Sequence, residues 1–453
     1  MKKLIRNINL IATFDKNDKE IKNGWILINR NLIEDIGQEP YEGNPEGIEL
    51  IDGKGLTILP GFINIHHHFY QSLFRAVPEV QNAKLFDWLV FLYEKWKEID
   101  DEAVYVSTIT AILEMMKSGV TTTTDHLYLF PREHPNLFDA QVQGARATGV
   151  RFYGTRGSMS LSRKDGGLPP DSVVQTEEEI MKDYDRVVRL YHNAEPFSML
   201  RVALAPCSPF SVTERLMVET MDYAKKENLL VHTHLAETID EETFCEEKFG
   251  LKPVDYMEKI GWLEPNSWFV HLVHLSDSDI EKLSQNETGM AHCPTSNMRL
   301  GSGIARVAEM KKTKIRIGLG VDGSSSNDTG NFLMEIRNAL LLQRVKYGAD
   351  AISTREALRI ATTGGASVLH IEKEAGSLEK GKAADLIGFK LENRLEFAGG
   401  LVDPVGSLVL CDTKSVDFSM INGEIVISDG QFIKIDIKSI IERQNKISRK
   451  LLS

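Results

Sequence analysis

Four stretches of the chain carry side chains that could grip a metal ion and move protons beside it. The first, Leu59-Pro60-Gly61-Phe62-Ile63-Asn64-Ile65-His66-His67-His68, is an apolar run that leaves a Pro-Gly turn and ends in three histidines. Read as a buried strand, it puts His66 and His68 on one face and His67 on the other. Two imidazoles so spaced can hold a single ion from a strand end. A solvated or tag-like histidine tract would lie among polar residues at a terminus, whereas this one closes a hydrophobic strand. The second stretch, Leu229–His234, ends in His232 and His234, again on one face, with Glu237 three residues further on. The third, Trp268–Val270, leads into His271, with His274 beyond it, and the fourth, Ile315–Val321, leads into Asp322 and the Gly/Ser-rich Gly323–Ser326.

Three imidazoles and a carboxylate around an open position suit a catalytic zinc or ferrous ion. One member of the His232/His234 pair is surplus to that set and fills or orients. His274 reads as a helix cap or a solvated side chain, and Asp322 before glycine could be a plain turn. Glu237 is close enough to a ligand to serve as the acid/base that metal-assisted hydrolysis needs.

Such residues need a scaffold that brings distant strand ends together. Between His66 and about residue 370, strand-length apolar runs (Val120–Thr124, Val150–Tyr153, Met199–Ala205, Leu229–His234, Trp268–His271, Gly289–His292, Ile315–Val321) alternate with helical stretches such as Ala103–Lys117, Thr176–Tyr191, Thr213–Glu227 and Thr354–Ala361. That alternation predicts an α/β fold, a (β/α)8 TIM barrel with its site at the C-terminal strand ends. An open doubly wound sheet lacks its usual GxGxxG support. Both chain ends read as short strands, including Ile5–Ala12, Trp25–Ile28, Leu386–Phe389, Leu408–Leu410 and Ser419–Ile427, with Asn422-Gly423 a hairpin turn. The expected organisation is a composite β-sandwich from residues 1–58 and 375–435, a catalytic barrel over 59–374, and a C-terminal helix over 436–453.

The 453 residues include 53 basic and 65 acidic side chains, a formal net charge of −12, and are 42% hydrophobic. That acidic balance, without a basic stripe, argues against nucleic-acid or anionic-membrane partners and leaves a small molecule as the expected one. The cysteines Cys207, Cys245, Cys293 and Cys411 form no CxxC pair, and no apolar stretch approaches the ~20 residues of a membrane span. A cytoplasmic protein is expected, with a homo-oligomer as the default state.

In this order, Pro60-Gly61 through His66-x-His68, His234-x-x-Glu237, His271 and Asp322 resemble the amidohydrolase superfamily, in particular its cytosine/guanine deaminase and triazine hydrolase branch. Within the branch, His66–Leu73 with Arg75–Pro78, Thr155–Ser160, Ala205–Pro209 and Gly320–Ser324 resemble the 8-oxoguanine deaminases. The stretch His292–Gly303 is shared more widely, and Arg306 stands where that pattern has proline. The resemblance implies one divalent ion, zinc foremost and ferrous iron accepted, on His66, His68, His234 and Asp322. It implies Glu237 and His271 as a catalytic pair with Asp322 taking the water proton, and Gln71, Trp88 and Cys207 as purine contacts. The implied activity is hydrolytic deamination of an aminopurine, 8-oxoguanine to urate and ammonia. Guanine, isocytosine, a pterin or an s-triazine are the alternatives with the same machinery, and a metal-free binding protein is the alternative of a different class. The cytidine-deaminase zinc motif is missing, since Phe210 stands where a second cysteine should follow Pro206-Cys207.

Overall fold

The computed structural model describes residues 2–453. Five strands open the chain: β1 (Lys2–Ala12), β2 (Glu20–Asn29), β3 (Leu32–Gln38), β4 (Glu49–Asp52) and β5 (Leu56–Pro60). Eight more form a closed ring: β6 (Phe62–Asn64), β7 (Val120–Leu127), β8 (Arg151–Ser158), β9 (Leu200–Pro206), β10 (Val231–Leu235), β11 (Ser267–His271), β12 (Gly289–His292) and β13 (Arg316–Leu319). Neighbours in the ring pair in parallel, and Leu319 opposite Asn64 closes it. The helices between them start on sequence signals. Asp100 accepts the Ala103 N–H ahead of Asp101–Lys117, and Thr176 and Glu179 form a reciprocal capping box ahead of Glu177–Tyr191.

Four last strands, β14 (Leu386–Lys390), β15 (Phe418–Ile421), β16 (Glu424–Ser428) and β17 (Gln431–Phe432), join the N-terminal ones in a single nine-stranded sheet. Its seam is β5, which pairs in parallel with β1 and antiparallel with β14. Both ends of the chain share one core there, with Ile5, Ile26, Ile28 and Ile58 against Leu386 and Met420. The run read as one strand before His66 thus serves two sheets, and Gly61 is the switch between them. A Cβ at Gly61 would lie 2.0 Å from Thr121 Oγ1, so only glycine lets the chain cross there.

One expected strand is a helix. Leu408–Leu410 belongs to the helix Pro404–Leu410, because Asp403 accepts the Gly406 N–H at 3.0 Å and Pro404 occupies the first turn. The hairpin turn at Asn422-Gly423 forms with φ of 51° and 79°, as the type I′ geometry requires. The tail is the helix Ile437–Leu452, which packs on Asp101–Lys117. From it Gln444 donates to Ser72 Oγ at 3.1 Å and Ser448 to the Leu73 carbonyl at 2.6 Å, bracing the turn Phe69–Leu73 that follows the first histidines. Arg151 of β8 makes a buried two-toothed pair with Asp385, at 2.9 and 3.2 Å, which ties the barrel to the sheet. Among the described residues no helix is long and apolar enough to cross a membrane, and all four cysteines are free.

Candidate metal centre and pocket

The barrel collects the four stretches at the C-terminal ends of its strands. His66 and His68 follow β6, His234 lies in β10, His271 ends β11, and Asp322 follows β13. Ligating atoms of His66, His68, His126 and His234 lie within 4.8 Å of one another, and so do those of His66, His271 and Asp322.

Carbonyl oxygens fix which imidazole nitrogens carry hydrogen. A carbonyl only accepts, so His68 Nδ1 donates to the His126 carbonyl at 2.8 Å and His234 Nδ1 to the Cys207 carbonyl at 2.6 Å. His232 Nδ1 donates to the Trp268 carbonyl at 3.0 Å, so its Nε2 accepts from His66 Nδ1 at 2.8 Å. His66, His68 and His234 are left with Nε2 lone pairs turned inward. Burial pushes their protonation below the usual range, to about 3 for His234. Two of these lone pairs, on His68 and His234, are 3.2 Å apart, and the buried His66 Nε2 has no hydrogen-bond partner. Facing lone pairs with no proton between them repel, so this donor set fits a cation.

Asp322 supplies the charge. Its Oδ1 lies 3.2 Å from His66 Nε2 and 3.3 Å from His68 Nε2. Burial opposes its ionisation, yet the surrounding His66, His271 and His68 hold the carboxyl well below its ordinary value. Ser326 Oγ donates to Oδ2 at 3.3 Å. Glu237 is opposite in character, because burial raises its pKa and the Asp322 charge adds to the effect. Its Oε2 is 3.5 Å from His271 Nε2, its Oε1 accepts from Ser302 Oγ at 3.2 Å, and His271 Nε2 is 3.9 Å from Asp322 Oδ2. The site therefore sets a carboxyl whose pKa is held down and one whose pKa is raised on either side of an imidazole. Ala236, His271 and Asp322 have φ of 53°, 74° and 62°, a conformation that costs about 1 kcal/mol or more for such residues.

Beside this cluster lies a pocket with about 430 Å³ of atom-free space, part of it open to solvent at the mouth. His68, His234, Glu237, His271 and Asp322 line it together with Gln71, Trp88 and Cys207. Two of the expected substrate contacts already have protein partners. Gln71 Oε1 accepts from the Ser325 N–H at 3.3 Å, and Trp88 Nε1 donates to the Ser325 carbonyl at 3.2 Å. Cys207 offers a thiol that burial raises to about 12, hence a neutral one.

The segment Thr155–Ser160, one of those that carry the resemblance, is not part of this lining. Arg156 is buried instead in an ion pair with Asp183 at 2.7 Å and lies over the Phe130 ring at 3.5 Å. His274 neither caps a helix, since Ser276 caps Asp277–Gln285, nor faces water alone. It donates through Nε2 to the Ser302 carbonyl at 2.9 Å and so holds the loop that touches Glu237. Arg306 replaces the expected proline with ion pairs to Asp277 and Glu309. Three further residues escape a reading by spacing alone. His126 lies beyond Thr124, where the sequence reading ends that strand, but within β7, and its ring stacks on His234 at 4.8 Å. Glu241 accepts the N–H groups of Ala236 and Glu237, each at 2.9 Å. Glu335 accepts from Asn327 Nδ2 at 2.6 Å, and the same Nδ2 reaches the Val321 carbonyl beside Asp322.

A family model described as "Amidohydrolase family" matches residues 57–426. The chain belongs to the amidohydrolase family. It is 41% identical over 445 residues to 8-oxoguanine deaminase of Pseudomonas aeruginosa, with 98% of each chain covered. It is 33% identical to hydroxydechloroatrazine ethylaminohydrolase of a Pseudomonas species, over 90% of this chain and 86% of that one. Among solved structures, an atrazine chlorohydrolase from Arthrobacter aurescens complexed with zinc superposes with a TM-score of 0.93 at 27% identity, covering 99% of this chain and 100% of that one. A triazine hydrolase variant gives the same score at 28% identity. As an amidohydrolase, the chain places its polar cluster inside the segment that the family model spans.

Proposed function

We propose that this amidohydrolase is a hydrolytic deaminase whose preferred substrate is 8-oxoguanine. His66, His68, His234 and Asp322 hold one divalent ion, for which zinc is the reading best supported by the zinc-bound neighbour. When bound, such an ion supplies Lewis acidity that makes water a nucleophile near neutral pH.

The chain's residues then manage three protons. Asp322, kept ionised, accepts a proton from the attacking water as its oxygen bonds to the ring carbon bearing the exocyclic amine. Glu237, whose pKa burial raises, gives a proton to the adjacent ring nitrogen. The amine takes the proton from Asp322 and leaves as ammonia as the C–N bond breaks. The remaining hydroxyl proton returns to Glu237, which leaves a ring carbonyl beside an N–H. His271 faces the developing oxygen through Nε2. Its Nδ1 donates to Asn297 Oδ1 at 2.8 Å, which fixes the ring in that orientation.

The observation that carries the substrate is the 41% identity over 98% of both chains with an 8-oxoguanine deaminase. A second reading, an s-triazine hydrolase, draws on the 0.93 TM-score with the atrazine enzyme. Steady-state ammonia release across 8-oxoguanine, guanine, isocytosine, a pterin, adenine and an aminotriazine separates the two. The expected result is a kcat/KM for 8-oxoguanine well above all the others. Equal or faster turnover of guanine or of the triazine overturns the substrate and leaves the chemistry.

A further inference from the structure

Among the described residues lining the pocket, one buried polar atom has no partner: the hydroxyl of Tyr93. Tyr93 is 0% exposed and sits in the helix Leu85–Trp96, where its ring packs edge-on against Trp96 at 5.6 Å. Its neighbours set it apart from the metal cluster. Tyr128, also in the lining, has its ring 5.1 Å from that of His68, whereas Tyr93 belongs to the aromatic group in which Trp96 contacts Trp88 at 5.3 Å and Tyr70 at 5.4 Å. On this wall Trp88 Nε1 and Gln71 Oε1 are committed to the Ser325 backbone, and the Cys207 thiol is a weak donor.

Burying a phenol hydroxyl without a partner is unfavourable, and most such groups in folded proteins are paired. A buried donor with no partner, on a residue that lines a ligand pocket, is therefore one that an acceptor arriving with the ligand satisfies. We infer that Tyr93 is a specificity-determining residue whose hydroxyl donates to a carbonyl oxygen on the edge of the ring remote from the reacting carbon. This rests on the deaminase reading above and sharpens it. On a fused bicyclic substrate the remote edge is the five-membered ring, where 8-oxoguanine carries a carbonyl that guanine lacks.

The test is Tyr93→Phe, which keeps the ring and removes only the hydroxyl. Loss of one donor to a desolvated carbonyl lowers kcat/KM for 8-oxoguanine by about 10- to 100-fold and leaves guanine within about threefold. The unliganded variant should not lose stability, and its Tm should hold or rise by about a degree or two, because an unpaired polar group has been removed. Lower activity with undiminished stability is a combination that a packing role would not produce. An equal loss on both purines, no loss on either, or a marked drop in Tm with metal content preserved overturns the assignment. If the parent enzyme prefers another ring, the substrate proposal fails separately. Tyr93→Phe is then judged on that preferred ring against its analogue lacking the remote carbonyl, and an unchanged ratio overturns the role.

Discussion

Glu241→Gln should cost most of the activity without touching the metal cluster or the pocket. The Glu241 side chain is fully buried, and its two oxygens receive the N–H groups of Ala236 and Glu237 at 2.9 Å each. It thereby holds Ala236 in the left-handed conformation, φ 53°, that turns the chain from β10 to bring Glu237 beside His271. A glutamine keeps one acceptor oxygen and sets an amide donor against the other backbone N–H. The unpaired N–H costs about 1–3 kcal/mol, comparable with the ~1–2 kcal/mol of left-handed strain at Ala236 that the pair sustains. The turn then relaxes, and a shift of the Glu237 carboxyl by about 1 Å is worth on the order of 100-fold in rate. The expected outcome is a kcat lower by about 10- to 100-fold, a KM within about threefold, and full metal content by elemental analysis. Glu237→Gln, which removes the shuttled proton itself, should fall further, by about 10²- to 10⁴-fold. A Glu241→Gln enzyme with parental kcat, or one that loses its metal, refutes the reasoning.

His234→Ala should abolish bound metal and activity together, because it deletes one of three inward-facing lone pairs. Elemental analysis alongside ammonia release checks it, and a variant with full metal content contradicts the ligand set. Arg151→Met leaves Asp385 buried and without its guanidinium, so unfolding in urea should show a loss of about 3–5 kcal/mol with near-parental kcat in the folded protein. Glu335→Gln tests a pH effect. Burial raises the Glu335 carboxyl from 4.5 to about 7. Between those values the folded protein keeps a proton that the unfolded chain has lost, so stability falls as pH rises through this window, by on the order of 3 kcal/mol. The glutamine variant should show a correspondingly flatter fall in chemical denaturation between pH 5 and 8, and an unchanged slope would rule out Glu335 as its source.

The parts of the site that were legible in the sequence are those governed by period. Alternation along a strand places His66 beside His68 and identifies His232 and His234 as one face, and the structure puts all four in contact. Period could not choose between the last two, because that choice depends on which carbonyl each imidazole meets. The His232 ring lies 4.2 Å from Trp268 and turns its Nε2 to His66, while His234 anchors on Cys207 and keeps its Nε2 for the centre. The misread Leu408–Leu410 has the same kind of cause. An apolar triplet suits a strand or a buried helical turn equally, and the deciding signal was Asp403-Pro404 upstream of it.

What spacing could not reach is the set of residues that act through backbone. Glu241 sits at the third position of the helix Ile239–Phe249, where a reading by motif expects it to reach the Thr238 N–H as a capping box. It reaches past Thr238 to Glu237 and Ala236, a geometry available only because Ala236 is left-handed. Glu335 likewise lies inside a helix, Phe332–Tyr347, with nothing in its neighbours to separate it from a surface carboxylate. Its burial follows from Asn327 and Thr295, eight and forty residues away, which bring the loops after β13 and β12 against it. Two buried carboxyls thus hold the strand-end loops that carry Glu237 and Asp322. The family motif names the groups proposed to do the chemistry, and their positions rest on side chains that the motif does not contain.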